Sequence, residues 1–394
     1  MRPLTFREAE RDDFDAMGRL WRTAFNAPQR SIDTIAERIR PHRILVATDG
    51  DRLVATAQGF PLRQWFGGRP VPTVGIASVA TDPLYRGTGA GSDIMERILI
   101  RSRDEGHALA TLYPATVRFY RQLGFELGGT YTRYRVAIPA LPAGPAVELA
   151  DVPDDGGPIA ASYARLAERE SGLMEGVDDD WWPWRVLGRW STDAHGAVMT
   201  GEEIPDGYTA WSQESLPNKW GYRISCTHLV AHTRDAALAL LAFFRRFKGV
   251  GREVVWQGPP VEPFVTLLPE DSTTTLSNFR SMSRILDVPA AFESRGYPDV
   301  SGSASFAVDD PLILENSGQF LLEAEGGKVQ VSRAPAGAGF GAPAIAIGAL
   351  SSMFTSFVSP EAAARVGLVD PDHPALPLFG RLLAGPAPWS PDFF

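Results

Sequence analysis

The sequence predicts an α+β fold, with helices and strands mixed along one chain, and three observations point to it. Strand-like runs such as Ile44 to Thr48 and Leu53 to Phe60 in the first third stand beside residues that recur at helical spacing. A glycine-rich turn, Arg86 to Gly91, joins a strand pattern to a helix pattern. The last third holds short apolar runs punctuated by Asn316-Ser317-Gly318 and Gly326-Gly327, which reads as a small antiparallel meander. At 394 residues, the chain is long enough for two or three domains of roughly 150 residues each.

Composition narrows the function classes. Hydrophobic residues make up 44% and charged residues 22%, an ordinary globular mix. A net charge of −9 argues against a nucleic-acid partner and suits a cationic substrate. Cys226 is the one cysteine, so neither an intrachain disulfide nor a thiolate metal cluster is expected. Met1 to Asp13 lacks the apolar core of a signal peptide, and the longest apolar run, Ala236 to Phe244, is far shorter than a membrane span. The expectation is a cytoplasmic protein with no membrane partner.

The elements follow in order. Leu4 to Arg7 reads as a strand, and Arg11-Asp12-Asp13 opens a helix marked by Phe14, Met17, Trp21 and Phe25. Strands Ile44 to Thr48 and Leu53 to Phe60 flank Asp49-Gly50, and Val71 to Val79 follows Gly67-Gly68. A helix from Ser92 stops at Gly106, strand Ala108 to Leu112 follows, and a short helix, Val117 to Leu123, ends at Gly124. Pro139, Pro142, Gly144 and Pro145 mark a linker. The middle third shows a helix from Asp235 to Lys248 and a strand from Glu253 to Gln257. Trp181, Trp182, Trp184 and Trp190 read as core or interface packing rather than a ligand cage. The last third opens near Met282, with strands at Leu312 to Glu315, Gln319 to Glu323 and Val329 to Arg333. Ser359-Pro360-Glu361 caps a late helix ended by Gly367, and the chain finishes in an apolar tail, Trp389 to Phe394.

Chemistry concentrates at Arg86 to Gly91. A glycine-rich turn before a helix exposes backbone N–H groups at the positive end of that helix, which favours a phosphate, and Arg86 adds a cation. The chain has no Gly-Lys-Ser/Thr, so no P-loop is present. Gly87-Thr88-Gly89-Ala90-Gly91-Ser92 misses the dinucleotide fingerprint at its last position. Gly337 to Ala342 matches that fingerprint by letter, but Pro343 follows and no helix pattern begins there. What fits is Arg-x-x-Gly-x-Gly, followed about 30 residues later by Phe119-Tyr120-Arg121-Gln122-Leu123-Gly124-Phe125.

Both motifs resemble those of the Gcn5-related N-acetyltransferase (GNAT) superfamily. Arg7-Glu8-Ala9, Leu20-Trp21-Arg22, the stretch Ile285 to Phe292 and the apolar tail extend the likeness over the whole chain to the Eis (enhanced intracellular survival) family. That resemblance implies two tandem GNAT-like domains, 1–138 and 139–282, followed by a sterol-carrier-protein-like domain, 283–394. It implies a homohexamer that acetylates small-molecule amines from acetyl-coenzyme A without a metal. The segment before Asp235, His228 to Arg234, has no Arg-x-x-Gly-x-Gly, in keeping with a second domain that lacks a working cofactor site.

Carried over residue by residue, the resemblance assigns Val79, Ala80 and Thr81 to the strand that holds the acetyl carbonyl and pantetheine. It assigns Arg86, Gly87, Thr88, Gly89, Ala90, Gly91 and Ser92 to the pyrophosphate loop. Ala115 and Thr116 match a cofactor-contacting pair that is usually more polar, and the loop carries fewer arginines than the family's version. Tyr120 matches the general acid, with Tyr113 as a rival outside the motif, and the carboxylate of Phe394 matches the general base. A phenol with an ordinary pKa near 10 suits protonation of a departing thiolate. His228 and His232, four apart in a strand pattern, read as structural residues rather than metal ligands. The competing reading is a non-catalytic acyl-coenzyme A sensor or an apolar-ligand carrier.

Overall fold

Largely continuous buried runs, such as Ile44 to Ala47 and Leu53 to Ala57, build the first part of the chain into strands, and a computed structural model of the chain joins them in one sheet. The structure describes residues 3–28, 32, 40–178, 181–188, 195–201, 203–217, 220–334 and 343–394; Trp190 and the segment Gly337 to Ala342 lie outside them. The strands are β1 (Thr5–Glu8), β2 (Ile44–Asp49), β3 (Arg52–Phe66), β4 (Arg69–Thr81), β5 (Leu109–Leu112), β6 (Glu126–Ala137), β7 (Leu149–Asp151), β8 (Met174–Gly176), β9 (His195–Thr200), β10 (Gly207–Ser215), β11 (Tyr222–Ala231), β12 (Gly251–Gly258) and β13 (Thr274–Ile285). They lie in the order β1-β2-β3-β4-β5-β13-β6-β12-β11-β10-β9-β7, with β8 on β3. Gly67 and Gly68, at φ 58° and 79°, supply the left-handed pair that a two-residue hairpin between β3 and β4 requires.

Helices cover the sheet. Helix α1 (Phe14–Phe25) buries Met17, Leu20 and Trp21, and α2 (Ala90–Asp104) buries Ile94, Met95, Ile98 and Leu99. The short α3 (Val117–Gln122) ends at Gly124. The second part of the sheet carries α4 (Gly157–Ala167) and α5 (Arg234–Arg245). Strand β13 comes late in the chain yet slots between β5 and β6, pairing antiparallel with both. It therefore ties the first unit to the last third before the chain leaves the sheet.

The last third adds α6 (Val288–Ser294), β14 (Gly302–Asp309), β15 (Gly318–Glu325), β16 (Lys328–Arg333), β17 (Ile345–Ala346), α7 (Ile347–Phe354), α8 (Pro360–Arg365) and α9 (Leu376–Leu382). Its four-stranded sheet runs β16-β15-β14-β17. The strand expected at Leu312 to Glu315 is instead a turn with a 3-10 segment at Leu314–Asn316, and β14 takes its place in the meander. The cause is Asp310, whose carboxylate accepts from the backbone N–H groups of Leu312 and Ile313 and bends the chain. Phe292, Phe306, Phe320, Phe354 and Phe379 fill the interior of this domain.

Candidate active site

The site begins where two parallel strands part. Strand β4 pairs with β5 through Thr73, Val74 and Gly75, then continues to Thr81 while β5 ends at Leu112. Along that departing stretch β4 carries one extra residue: Gln58 of β3 faces Ala77 and Thr56 faces Ala80. This bulge turns backbone N–H groups out of the ladder. It holds Ser78 at φ 52°, an unfavourable angle for a residue with a side chain. Three hydrogen bonds fix it. The Thr56 hydroxyl donates to the Ser78 carbonyl at 2.7 Å, the Ser78 hydroxyl donates to Gln58 Oε1 at 3.2 Å, and Trp21 Nε1 donates to Thr56 Oγ1 at 3.1 Å. The bracing residues are not visible as a motif in the sequence; only the structure brings them together.

The glycine loop closes one end of the opening. The Tyr85 hydroxyl donates to Asp49 at 2.7 Å, and the Asp82 carboxylate accepts from Leu84 N, so the approach to the loop is anchored. Gly87 and Gly89 adopt φ 76° and 98°, and Gly89 is the N-cap of α2 with no side-chain cap bond. The first N–H groups of α2 thus face outward without a side-chain acceptor of the cap residue. A Cβ on Gly91 would stand 3.0 Å from Thr81 Oγ1, so the glycine keeps the cradle between strand and helix open.

Val79, Ala80, Thr81, Arg86, Gly87, Gly89, Gly91, Ser92, Ala115, Thr116 and Tyr120 line one cavity of about 630 Å³, together with Phe25, Tyr85 and Phe119. Thr88 sits exposed on the same loop, and Ala90 turns its side chain into the core. Tyr120 projects from α3, its ring 5.0 Å from Phe119 and 5.9 Å from Phe125, and burial pushes its hydroxyl up to about 12. Gly124, at φ 82°, stops α3, and no side chain fits there, since a Cβ would meet Ile347 at 2.9 Å and Arg284 at 3.0 Å. The buried Arg284 donates from Nε to the Leu123 carbonyl at 2.6 Å and pairs with Asp310 at 2.7 Å. Arg284, on β13, therefore links the end of the helix that carries Tyr120 to Asp310 in the last third of the chain.

The tail reaches the opposite face of the sheet. A Cβ on Gly59 would stand 3.4 Å from Ile98 Cδ1 of α2, so the neighbouring Phe60 points the other way. There its ring meets Phe394 edge-on at 4.7 Å. Tyr113 lies 5.6 Å from Phe394, stacks on Phe393 at 4.3 Å, and donates its hydroxyl to the Asp392 carbonyl at 2.7 Å. Phe394 is not among the residues that line the 630 Å³ cavity, whereas Ala115 and Thr116, just beyond Tyr113, are.

The second unit repeats the frame with a different ending. Strand β11 pairs parallel with β12 through Ser225 and carries its own irregularity opposite Ala210 and Trp211. Only His232 and Thr233 then separate it from α5, and the Thr233 hydroxyl accepts from Ala236 N at 3.2 Å. His228 Nδ1 meets the Tyr208 hydroxyl at 2.9 Å, and His232 Nε2 meets the Ser162 hydroxyl at 3.0 Å, so each histidine has a separate protein partner. Trp181 is buried, and Trp182 packs edge-on against Tyr163.

Comparison with known proteins gives a consistent answer for every unit. Residues 5–128 match a model of an acetyltransferase (GNAT) domain, 177–285 match a second model of that description, and 288–391 match a sterol carrier protein domain. The chain is 25% identical over 307 residues to the N-acetyltransferase Eis of Mycobacterium tuberculosis, covering 74% of each. A GCN5-related N-acetyltransferase from Anabaena variabilis superposes with a TM-score of 0.91 at 27% identity, over the full length of both chains. One from Kribbella flavida gives 0.85 at 26%, again over both full lengths. Eis1 from Mycobacterium abscessus shares the fold, with a TM-score of 0.78 at 19% identity over 99% of this chain and all of that one. With two GNAT units, a sterol-carrier-like third and Eis relatives matched across most of its length, the chain is a GNAT acyltransferase similar throughout to the Eis N-acetyltransferases.

Proposed function

We propose that this chain moves an acetyl group from acetyl-coenzyme A to the primary amine of a small molecule by direct attack in a ternary complex. The observation that carries the reading is the single cavity lined by the β4 bulge, the glycine loop and Tyr120. Backbone groups of Val79, Ala80 and Thr81 hold the thioester carbonyl and pantetheine, a preorganised polar contact of the oxyanion type. The loop from Gly87 to Ser92 and the Arg86 guanidinium hold the pyrophosphate. Bound there, acetyl-coenzyme A supplies the activated acyl group.

Tyr120 donates the proton that the departing thiolate takes up. Its raised pKa keeps it protonated well above neutral pH, which is the state a general acid needs. The Phe394 carboxylate, ionised at neutral pH, takes the proton that the acceptor's ammonium loses as its amine nitrogen attacks the thioester carbonyl. Two facts support that role. The tail is tied to the body by main-chain bonds, and Tyr113, against which Phe394 packs, leads directly into cavity residues Ala115 and Thr116.

The test is a short C-terminal extension after Phe394. Turnover of the best amine in a panel of aminoglycosides, polyamines and lysine peptides is expected to collapse while acetyl-coenzyme A affinity holds. Parent-level turnover by the extended protein refutes the base assignment. A homo-oligomer belongs to the same reading and is checked by light scattering in solution.

A further inference from the structure

A chain end frays unless something holds it, yet this one is held at every step. Trp389 forms a parallel bridge with Thr130 of β6: Thr130 N donates to the Pro388 carbonyl at 3.0 Å, and Ser390 N donates to the Thr130 carbonyl at 3.1 Å. On its other side, Trp389 N donates to the Ser171 carbonyl at 2.9 Å, and the indole N–H donates to Glu170 at 3.0 Å. Two residues before the end, Asp392 turns inward and is 3% exposed.

A carboxylate that deep needs compensation. Arg185 Nε donates to Asp392 Oδ1 at 3.1 Å, while His228 Nε2 faces Oδ2 at 3.8 Å, beyond hydrogen-bond distance. Burial alone raises the carboxyl of Asp392, but His228 and Arg185 together hold it below the ordinary aspartate value. The second Arg185 nitrogen donates to the Phe393 carbonyl, and Tyr113 donates to the Asp392 carbonyl. His228 is fixed in turn by the Tyr208 hydroxyl and by stacking on Tyr163 at 5.1 Å. These groups belong to the unit whose helix start is closed to the cofactor, apart from Tyr113, which belongs to the first.

We infer that Asp392 is a positioning residue: held by Arg185 and faced by His228 of the second GNAT unit, it fixes the terminal carboxylate of Phe394 for turnover. The inference rests on the proposed role of that carboxylate. It gives the second unit a task, which is to hold a proton acceptor rather than a cofactor. A displacement of about 1 Å in a reacting group costs on the order of 10²-fold in rate.

The experiment pairs digestion with kinetics. Carboxypeptidase A, which removes C-terminal aromatic residues, is applied to the native full chain and to Asp392→Asn and Arg185→Gln, with intact-mass readout. The half-exposed Arg185 provides a second variant should Asp392→Asn fold poorly. The parent tail should resist digestion, and both variants should lose Phe394 at least about tenfold faster. Undigested variants should also show kcat reduced roughly 10- to 100-fold, with the KM for acetyl-coenzyme A within about twofold of the parent. Faster digestion with unchanged kcat would leave the clamp standing and remove the base assignment. A tail equally protected in both variants would overturn the clamp, whatever the kinetics.

Discussion

After β4 the chain runs through Asp82–Gly89 before α2 begins, whereas after β11 it passes through His232 and Thr233 alone before α5. Both strands part from a parallel neighbour and both are irregular near the parting. The difference lies in the first turn of the helix that follows. At α2 the N-cap is Gly89, which has no side chain to offer the leading N–H groups, and the loop glycines hold positive φ to aim them outward. At α5 the Thr233 hydroxyl takes one of those N–H groups for itself. A helix start that satisfies itself gains stability, typically about 1 kcal/mol, and gives up a ready acceptor for an anion. The two helix starts thus differ in connection and in cap together: a glycine loop with no side-chain cap in one, a two-residue connection with a threonine cap in the other.

The largest effect expected is at Gly89. Gly89→Glu forces a side chain onto φ 98° and puts a negative charge beside Asp93, whose carboxylate lies 3.8 Å from the position of the new Cβ. Acetyl-coenzyme A binding should be lost by calorimetry while far-UV circular dichroism stays close to the parent. Tight binding by this variant would break the contrast between the two helix starts.

Next is Tyr120→Phe, expected to lower kcat by roughly 10²- to 10⁴-fold with cofactor affinity retained, in line with loss of a general acid. The same residue has a pH signature. Its folded pKa, about 12, lies above the ordinary tyrosine value of roughly 10. The stability gained from burying it neutral is therefore whole below about pH 10 and is lost as pH rises towards 12. Absorbance titration at 295 nm should show one fewer late-ionising tyrosine in Tyr120→Phe.

A moderate loss is expected for Thr56→Val, which keeps the shape but removes the hydroxyl that anchors Ser78 and receives Trp21. A loosened bulge should reduce turnover about tenfold and leave the fold intact. Unchanged turnover would show that the backbone geometry at Ser78 is maintained without that anchor. The smallest effect is at Thr233: Thr233→Ala should cost about 1 kcal/mol in thermal unfolding and leave turnover unchanged.

Local chemistry was legible in the sequence, and long-range pairing was not. The glycines at 87, 89 and 124 announce left-handed backbone, and all three adopt it. The strand–loop–helix order around Arg86 could be read for the same reason, since each signal lies within a few residues of its effect. Strand β13 could not be placed, because nothing in Thr274–Ile285 says that its partners are Leu109–Leu112 and Glu126–Ala137. Leu312 to Glu315 looked like a strand by its apolar residues, and one carboxylate, Asp310, turned it. The β4 bulge is equally silent, since Ser78 is not a glycine and its supports, Thr56 and Gln58, come from the neighbouring strand. For the tail, the apolar character of Trp389 to Phe394 was apparent. The partners of Asp392, at 185 and 228, are too distant in sequence to be found by pattern.

The contrast between the two helix starts is tested most directly by the stoichiometry of acetyl-coenzyme A on the parent chain, measured by isothermal titration calorimetry with the Thr233→Ala variant alongside. The account predicts one site per chain for both proteins, because removing the Thr233 hydroxyl frees an N–H group without supplying a glycine loop. Two sites per chain in the parent, or a second site gained by Thr233→Ala, would contradict it.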